Sequence, residues 1–326
     1  MSENPRSRTT DETDASRAPD GPAELRTRSW WNVLKRTAAE FKDDKLTDWA
    51  AALTYYAMLS IFPALLAVVS LLGVFGQSAT RPLMENLGPM APGPVRQILQ
   101  QFLRNLQENQ QAAGAALVIS VAVALWSASG YVGAFMRASN VMYEMAEGRP
   151  VWKTLPLRLG ITAVLVVLMA VGAVIVVFTG NVAHQAGQLL GIGGTALAVW
   201  GVVKWPVLVG VVVVVLALLY WSAPNVRHPG FRWITPGSAL AVVVWLVVSA
   251  AFGFYVANFA SYGRTYAAMG GVIVFMIWLW LSNVAVLLGV QFDAELARER
   301  AIDAGRPPER EPYVEPRDTR KLDGQL

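Results

Sequence analysis

Six long apolar runs punctuate the chain, at roughly 49–75, 113–136, 157–182, 197–221, 236–259 and 268–292. Each reaches the about 20 residues that a helix needs to cross about 30 Å of hydrocarbon. Lipid offers the backbone no hydrogen bonds, so a spanning segment is either a helix or a strand of a closed barrel. The runs lack the period-2 alternation of barrel strands, and helices follow. The second run is the most dilute, with Ser127, Ser129 and glycines among its apolar residues. The expected fold class is all-α, a polytopic integral membrane protein with six transmembrane helices.

The stretches between and around the runs predict the rest of the organisation. Residues 1–28 are polar, have no apolar face and are expected to form a disordered tail. They do not carry the pattern of a cleavable signal peptide. Over 29–46, Ser29 caps a helix in which Trp30, Leu34 and Phe41 recur beside Lys35, Arg36 and Lys42. That pattern fits an amphipathic helix lying at the membrane interface, or one packed on protein. The transmembrane domain then occupies 47–296. An outer segment at 77–111 carries an amphipathic stripe through Leu99, Phe102 and Leu106, either resting on the outer leaflet or serving as a lid. From 297 to 326 the chain turns polar and proline-rich, which predicts a second disordered tail.

Charge adds the orientation. Only 15% of the 326 residues are charged, against about 25% in soluble domains, and the formal net charge is +4. The basic residues alternate by side. Arg26, Arg28, Lys35, Arg36, Lys42 and Lys45 precede the first run, Arg149 and Lys153 follow the second, Arg227 and Arg232 the fourth, and Arg298, Arg300 and Arg306 the sixth. The opposite connections hold Arg81, Arg96, Arg104 and Arg264, and the loop between runs three and four holds none. The positive-inside rule then puts both termini in the cytoplasm. The excess of positive charge is a topology signal and implies no specific nucleic acid. The chain has no cysteine, which excludes disulfides and thiolate chemistry.

Polar side chains inside the runs are the candidate functional residues, because in lipid they are expensive and turn inward. On the first helix Asp48, Tyr55 and Pro63 share a stripe, with Tyr56 and Ser60 beside it. Pro63 has no N–H to offer the carbonyl of Leu59. On the second, Ser129, Gly133, Arg137, Asn140 and Glu144 form one stripe by steps of three and four. Arg137 either snorkels to the headgroups or needs a carboxylate, with Asp48 and Asp293 nearest in depth. The last helix puts Asn283 and Gln291 on one face, with Asp293 just beyond. Lys204, on the fourth, is expected to snorkel. These groups give a candidate gate or coupling set of Asp48, Arg137 and Asp293. Tyr55, Tyr56, Ser60, Pro63, Ser129, Asn140, Asn283 and Gln291 are candidate lining of a polar cavity between the first, second, fifth and sixth helices. Kinks for packing and hydrogen bonds between helices account for the same residues without a cavity.

Function classes narrow accordingly. No cofactor motif, metal-ligand cluster or catalytic constellation is present in the sequence, so an enzyme is not expected. A metal-dependent ribonuclease would need carboxylates converging on its ions, and the acids within reach, Asp43, Asp44, Asp48, Asp293 and Glu295, are scattered along the chain. A transporter or lipid-translocating permease is the leading reading, with membrane lipids as partners and a lipid or small molecule as cargo. The alternative is a non-transporting envelope-assembly scaffold. The oligomeric state is left open.

The segments DWAAALTYYAMLSIFPALL, LWSASGYVGAFMRASNVMYE, LLYWSAPN and NFASYGRTYAAMGGVIVFMIWLWLSNVAVLLGVQFDAEL resemble the YihY/virulence factor BrkB family of bacterial inner-membrane proteins. The likeness spans about 30–297 and is most specific in the last segment. The family was formerly labelled a ribonuclease (RNase BN) and is also described as transporters, so the resemblance implies a multi-pass inner-membrane protein and leaves the cargo unnamed. One departure bears on the site. The family usually has Gly-Ala-Glu after the final apolar run, whereas this chain has Gly289-Val290-Gln291. If a carboxylate there carries a proton or cation in relatives, this chain either does without it or uses Asp293.

Overall fold

The computed structural model describes residues 27–74, 110–177, 194–228, 235–259, 267–308 and 311–322. Among them are seven helices: α1 (Thr27–Asp43), α2 (Leu46–Val74), α3 (Gln110–Met142), α4 (Val151–Val177), α5 (Gly194–Ser222), α6 (Thr235–Phe259) and α7 (Ala267–Asp303). The all-α class expected from the apolar runs is the one observed. The tail before residue 27 and the outer segment at 77–111 lie outside the described residues.

The long helices form a closed circuit. Each of α2 to α6 packs on the next, α7 returns to α2, and α7 also touches α3. Five of them, α3 to α7, are long and apolar enough to cross a membrane. In α2, the side chains beyond Ala64 lie outside the described residues. The bundle is apolar on its outside as well as its inside. Val118, Met169, Val202 and Phe254 are 69%, 63%, 72% and 68% exposed. A water-soluble surface carries no such continuous apolar belt, whereas lipid solvates it without cost. The interior is closed by fully buried Leu53, Phe135, Tyr220, Leu287 and Val290.

α7 is the organising element. Its 37 residues span about 55 Å, well beyond a bilayer's hydrocarbon thickness, so one end projects. α1 packs on that projection. Val33 is buried with Phe292 and Leu296, and Trp30 stacks on Phe292 with ring centroids 6.0 Å apart. Arg36 donates to Glu295 Oε2 at 2.7 Å and to Glu299, and Ser29 donates to Asp303. Of the two expectations for α1, packing on protein is observed: one face lies against α7. Trp31 and Leu34 remain exposed on its other face.

The C-terminal segment differs from the disordered tail expected after Ala297. α7 continues to Asp303, and residues 311–322 fold back along the same end of the bundle. Arg227 N donates to Glu315 O at 2.9 Å, Arg317 N to Asn225 O at 3.0 Å and Lys321 N to Gly148 O at 2.9 Å. Asn225 Nδ2 donates to Asp318 O at 2.9 Å, and Lys153 forms an ion pair with Asp318. At Gly148 a side chain would overlap the backbone of Asp318. Polar, proline-rich composition predicts disorder because such a segment cannot build its own core. Here the backbone is satisfied by the loops between helices, which composition does not report. We call this end, with α1 and the C-terminal segment, the terminal face.

Candidate functional site

α5, α6 and α7 meet in a close approach made at two glycines. A Cβ on Gly289 would stand 2.6 Å from both Gly237 O and Tyr220 Oη and 2.8 Å from Ala241 Cβ, and one on Gly237 would overlap Gly289 O and the Asp293 carboxyl. Two glycines are therefore what let α6 and α7 touch. Asp293, one helical turn beyond Gly289, is buried at 2% exposure. Gly237, third residue of α6, donates its N–H to Asp293 Oδ1 at 2.8 Å. An N–H at that position has no partner within its own helix, and the positive end of the helix dipole favours the carboxylate. Asp293 Oδ2 has no hydrogen-bond partner among the described residues. Tyr220 donates to Val286 O at 2.6 Å at the same junction.

A second polar group joins α2, α3 and α7. Tyr131 donates to Asn283 Oδ1 at 2.9 Å, Asn283 Nδ2 donates to Thr54 Oγ1 at 3.0 Å, and Thr54 donates to Ala50 O at 2.8 Å. Each member is satisfied, so the chain binds three helices together in an apolar interior. Tyr56 packs over Gly130, where a Cβ would come within 3.0 Å of its ring. Tyr55 is 60% exposed and meets Tyr56 edge-on. Ser60 donates to Ala57 O and Ser129 to Trp126 O, each at 2.7 Å and within its own helix. Pro63 lies inside α2, partly exposed. Gln291 is buried and hydrogen-bonds the Asp44 side chain. Burial, then the charge of Glu40, pushes the Asp44 carboxyl up to about 6 despite that bond.

The expected pairing of Arg137 with an acid does not occur among the described residues. Asp48 sits exposed in the first turn of α2, where the helix dipole favours it. Asp293 faces α6, and Arg137 is exposed toward α4. Depth along the helices matched, but the three residues point to different neighbours. Asn140 serves the loops. Its Nδ2 donates to Glu147 Oε2 at 2.9 Å, and its Oδ1 accepts from Asn225 N at 2.7 Å. Buried Arg149 forks onto both oxygens of Glu147 at 2.7 Å and reaches Ala223 O at 2.8 Å. Lys204, expected to snorkel, is 8% exposed with its ammonium 5.3 Å from the Trp205 ring centroid.

Sequence reasoning missed Tyr131, Arg149, Arg158, Tyr220 and Gly237. Tyr131 and Tyr220 read as packing aromatics until a partner helix supplies an acceptor. Gly237 is one glycine among 27, and nothing local separates it from the rest.

Comparison with known proteins agrees with the likeness noted in the sequence. The chain is 30% identical over 264 residues to the ribonuclease-like protein YfkH of Bacillus subtilis, covering 81% of this chain and 93% of that one. It is 26% identical over 281 residues to a UPF0761 membrane protein of Xanthomonas campestris, and 29% identical over 282 to one of Alkalilimnicola ehrlichii. Those alignments cover 84% and 82% of this chain but 62% and 60% of the relatives, so it spans about three-fifths of their length. No solved structure matches. The sequence profile of the virulence factor BrkB family matches residues 37–314. That match takes in the end of α1, all of α2 to α7 and the start of the C-terminal segment, and the chain, a multi-span apolar bundle, belongs to the virulence factor BrkB family.

Proposed function

We propose that this chain is a six-span permease of the bacterial inner membrane, with both termini in the cytoplasm. It moves a lipid or small-molecule cargo along a polar path between α2, α3, α6 and α7, and Asp293 is the coupling group. The observation that carries this reading is the Asp293 carboxyl, buried at the glycine-lined crossing of α6 and α7 with one oxygen on Gly237 and the other without a partner among the described residues. A buried acid with an open oxygen is costly, and such residues cluster at functional sites. Occupation of the open oxygen by a proton or cation would weaken the hold on the α6 N-terminus and loosen a crossing that two glycines keep tight. Basic residues on the terminal face favour its cytoplasmic placement.

Reconstitution tests this. In proteoliposomes, flipping of a fluorescent phospholipid and flux of small solutes are followed with wild type and Asp293→Asn. The proposal expects wild-type movement and at least a tenfold loss in the variant, the scale of one charge-assisted hydrogen bond. Equal rates in the two proteins, or none in wild type, reject it. Single cysteines at 55, 56, 60 and 283, read against the cysteine-free background, map the path. Uniform protection from aqueous reagents argues against a cavity.

The scaffold reading has one observation in its favour. Thr54, Asn283 and Tyr131 satisfy one another, as helix association alone would require. A stoichiometric partner with no flux would favour it. The ribonuclease-like description belongs to YfkH. Here Asp43 and Asp48 are exposed, Glu295 is held by Arg36 and Asp293 by Gly237, so the geometry of these acids does not support two-metal hydrolysis.

A further inference from the structure

Two arginines outside the coupling site share a pocket of about 190 Å³ between α3 and α4, lined by Gly133, Arg137, Glu147, Thr154 and Arg158 among others. The helices are joined by a short loop and run antiparallel. Arg137 lies five residues before the end of α3, about 7.5 Å along the axis, and Arg158 seven residues after the start of α4, about 10.5 Å. Both guanidinium groups therefore sit at similar depth, inside segments apolar enough to span a membrane.

The local packing aims Arg158 into this space. A Cβ on Gly133 would come within 2.9 Å of Arg158 Cδ and 3.1 Å of its Nη1, so the glycine makes room for the side chain. Its guanidinium carbon lies 5.6 Å from the ring centroid of Trp126, which is 60% exposed on the outside of the bundle. Arg158 Nε is buried and has no hydrogen-bond partner among the described residues. The carboxylate lining the pocket is already engaged. Both oxygens of Glu147 accept from Arg149, and one also accepts from Asn140. The Glu147–Arg149 pair is neutral overall, so Arg137 and Arg158 leave two positive charges uncompensated by any acid among the described residues.

Two such charges beside apolar segments call for a counter-charge. A compact anion with several acceptor oxygens supplies it, and guanidinium forks match phosphate geometry. We propose that the α3–α4 pocket binds a phosphate group, either that of an anionic phospholipid headgroup entering past Trp126 or a free phosphate from the adjoining water. The site stands apart from Asp293, and its test is a binding measurement that does not depend on transport.

Full-length protein, delipidated in detergent, is titrated with phosphatidylglycerol or phosphatidylcholine and examined by native mass spectrometry, with inorganic phosphate as competitor. Wild type is expected to prefer phosphatidylglycerol. Arg137→Gln, which removes an exposed side chain and spares the fold, weakens that binding about tenfold, the scale of one charge-assisted hydrogen bond. Adding Arg158→Gln weakens it further, while Arg227→Gln, an exposed arginine outside the pocket lining, leaves it unchanged. Competition by inorganic phosphate identifies a free phosphate as ligand, and its absence identifies the headgroup. Unchanged phosphatidylglycerol binding in Arg137→Gln overturns the proposal. So does a wild type that neither prefers phosphatidylglycerol nor binds inorganic phosphate.

Discussion

Asn283 is the residue at which polar chemistry and helix packing meet. Its amide gives one hydrogen bond to Thr54 and takes one from Tyr131. Asn283→Ala leaves a tyrosine hydroxyl without its acceptor, a loss of about 1–3 kcal/mol for a buried group in a soluble protein. Inside a membrane the unfolded reference also finds partners, and measured interhelical bonds average nearer 0.6 kcal/mol. The smaller effect decides the expectation: a loss of about 1 kcal/mol, read as a few degrees in thermal unfolding in detergent. Thr54→Ala added to Asn283→Ala costs less than the two single losses summed, because the variants share one bond. Additive losses would show that the three side chains do not act as a unit. The sequence marked Asn283 as costly in lipid. It could not say that Tyr131, an unremarkable aromatic at 152 positions' separation, would be what satisfies it.

At the scale of elements, the α6–α7 crossing depends on the absence of two side chains. Gly289→Ala introduces a methyl 2.6 Å from the backbone oxygen of Gly237. A backbone atom cannot rotate away as a flexible side chain can, so α6 must shift, at about 1–3 kcal/mol for overpacking. The shift also withdraws the α6 N-terminus from Asp293. Gly160→Ala on α4, where a Cβ meets nothing within 4 Å, serves as the control. It is expected to leave melting temperature and yield unchanged, while Gly289→Ala lowers both. The sequence shows both glycines and a partner for neither. Which two helices they bring together depends on the circuit in which the helices pack.

At the scale of the whole molecule, the terminal face joins distant parts of the chain. Glu144 ends the α3 loop region and Glu311 belongs to the returning C-terminal segment. Partial burial, then the neighbouring Glu311 carboxyl, pushes Glu144 up to about 7 from an ordinary value of 4.5. A raised acid holds its proton in the folded state where the unfolded chain has lost it. Its contribution to stability is full below about 4.5 and is lost as pH rises through about 7. Docking of residues 311–322 is therefore expected to loosen between pH 6 and 8. A fluorescent probe on Lys321→Cys, the sole cysteine in the chain, reports that release as a rise in mobility. Glu144→Gln abolishes the pH dependence. A probe equally mobile at both pH values in wild type would show that the Glu144 carboxyl does not control the docking.

The all-α class and the placement of the long apolar helices were legible from the sequence, because each follows from the local chain in lipid. The amphipathic pattern of α1 was legible too, though not the surface it covers. Tertiary structure alone decided that Arg137, Asp48 and Asp293 face different neighbours. It decided that the polar C-terminal segment finds backbone partners in two loops, and that α7 carries α1. It also decided that Arg158 lies in the space Gly133 leaves. Composition and periodicity assign a residue a depth and a face on its own helix. Which helix that face meets depends on packing among segments far apart in the chain, and no local pattern encodes it.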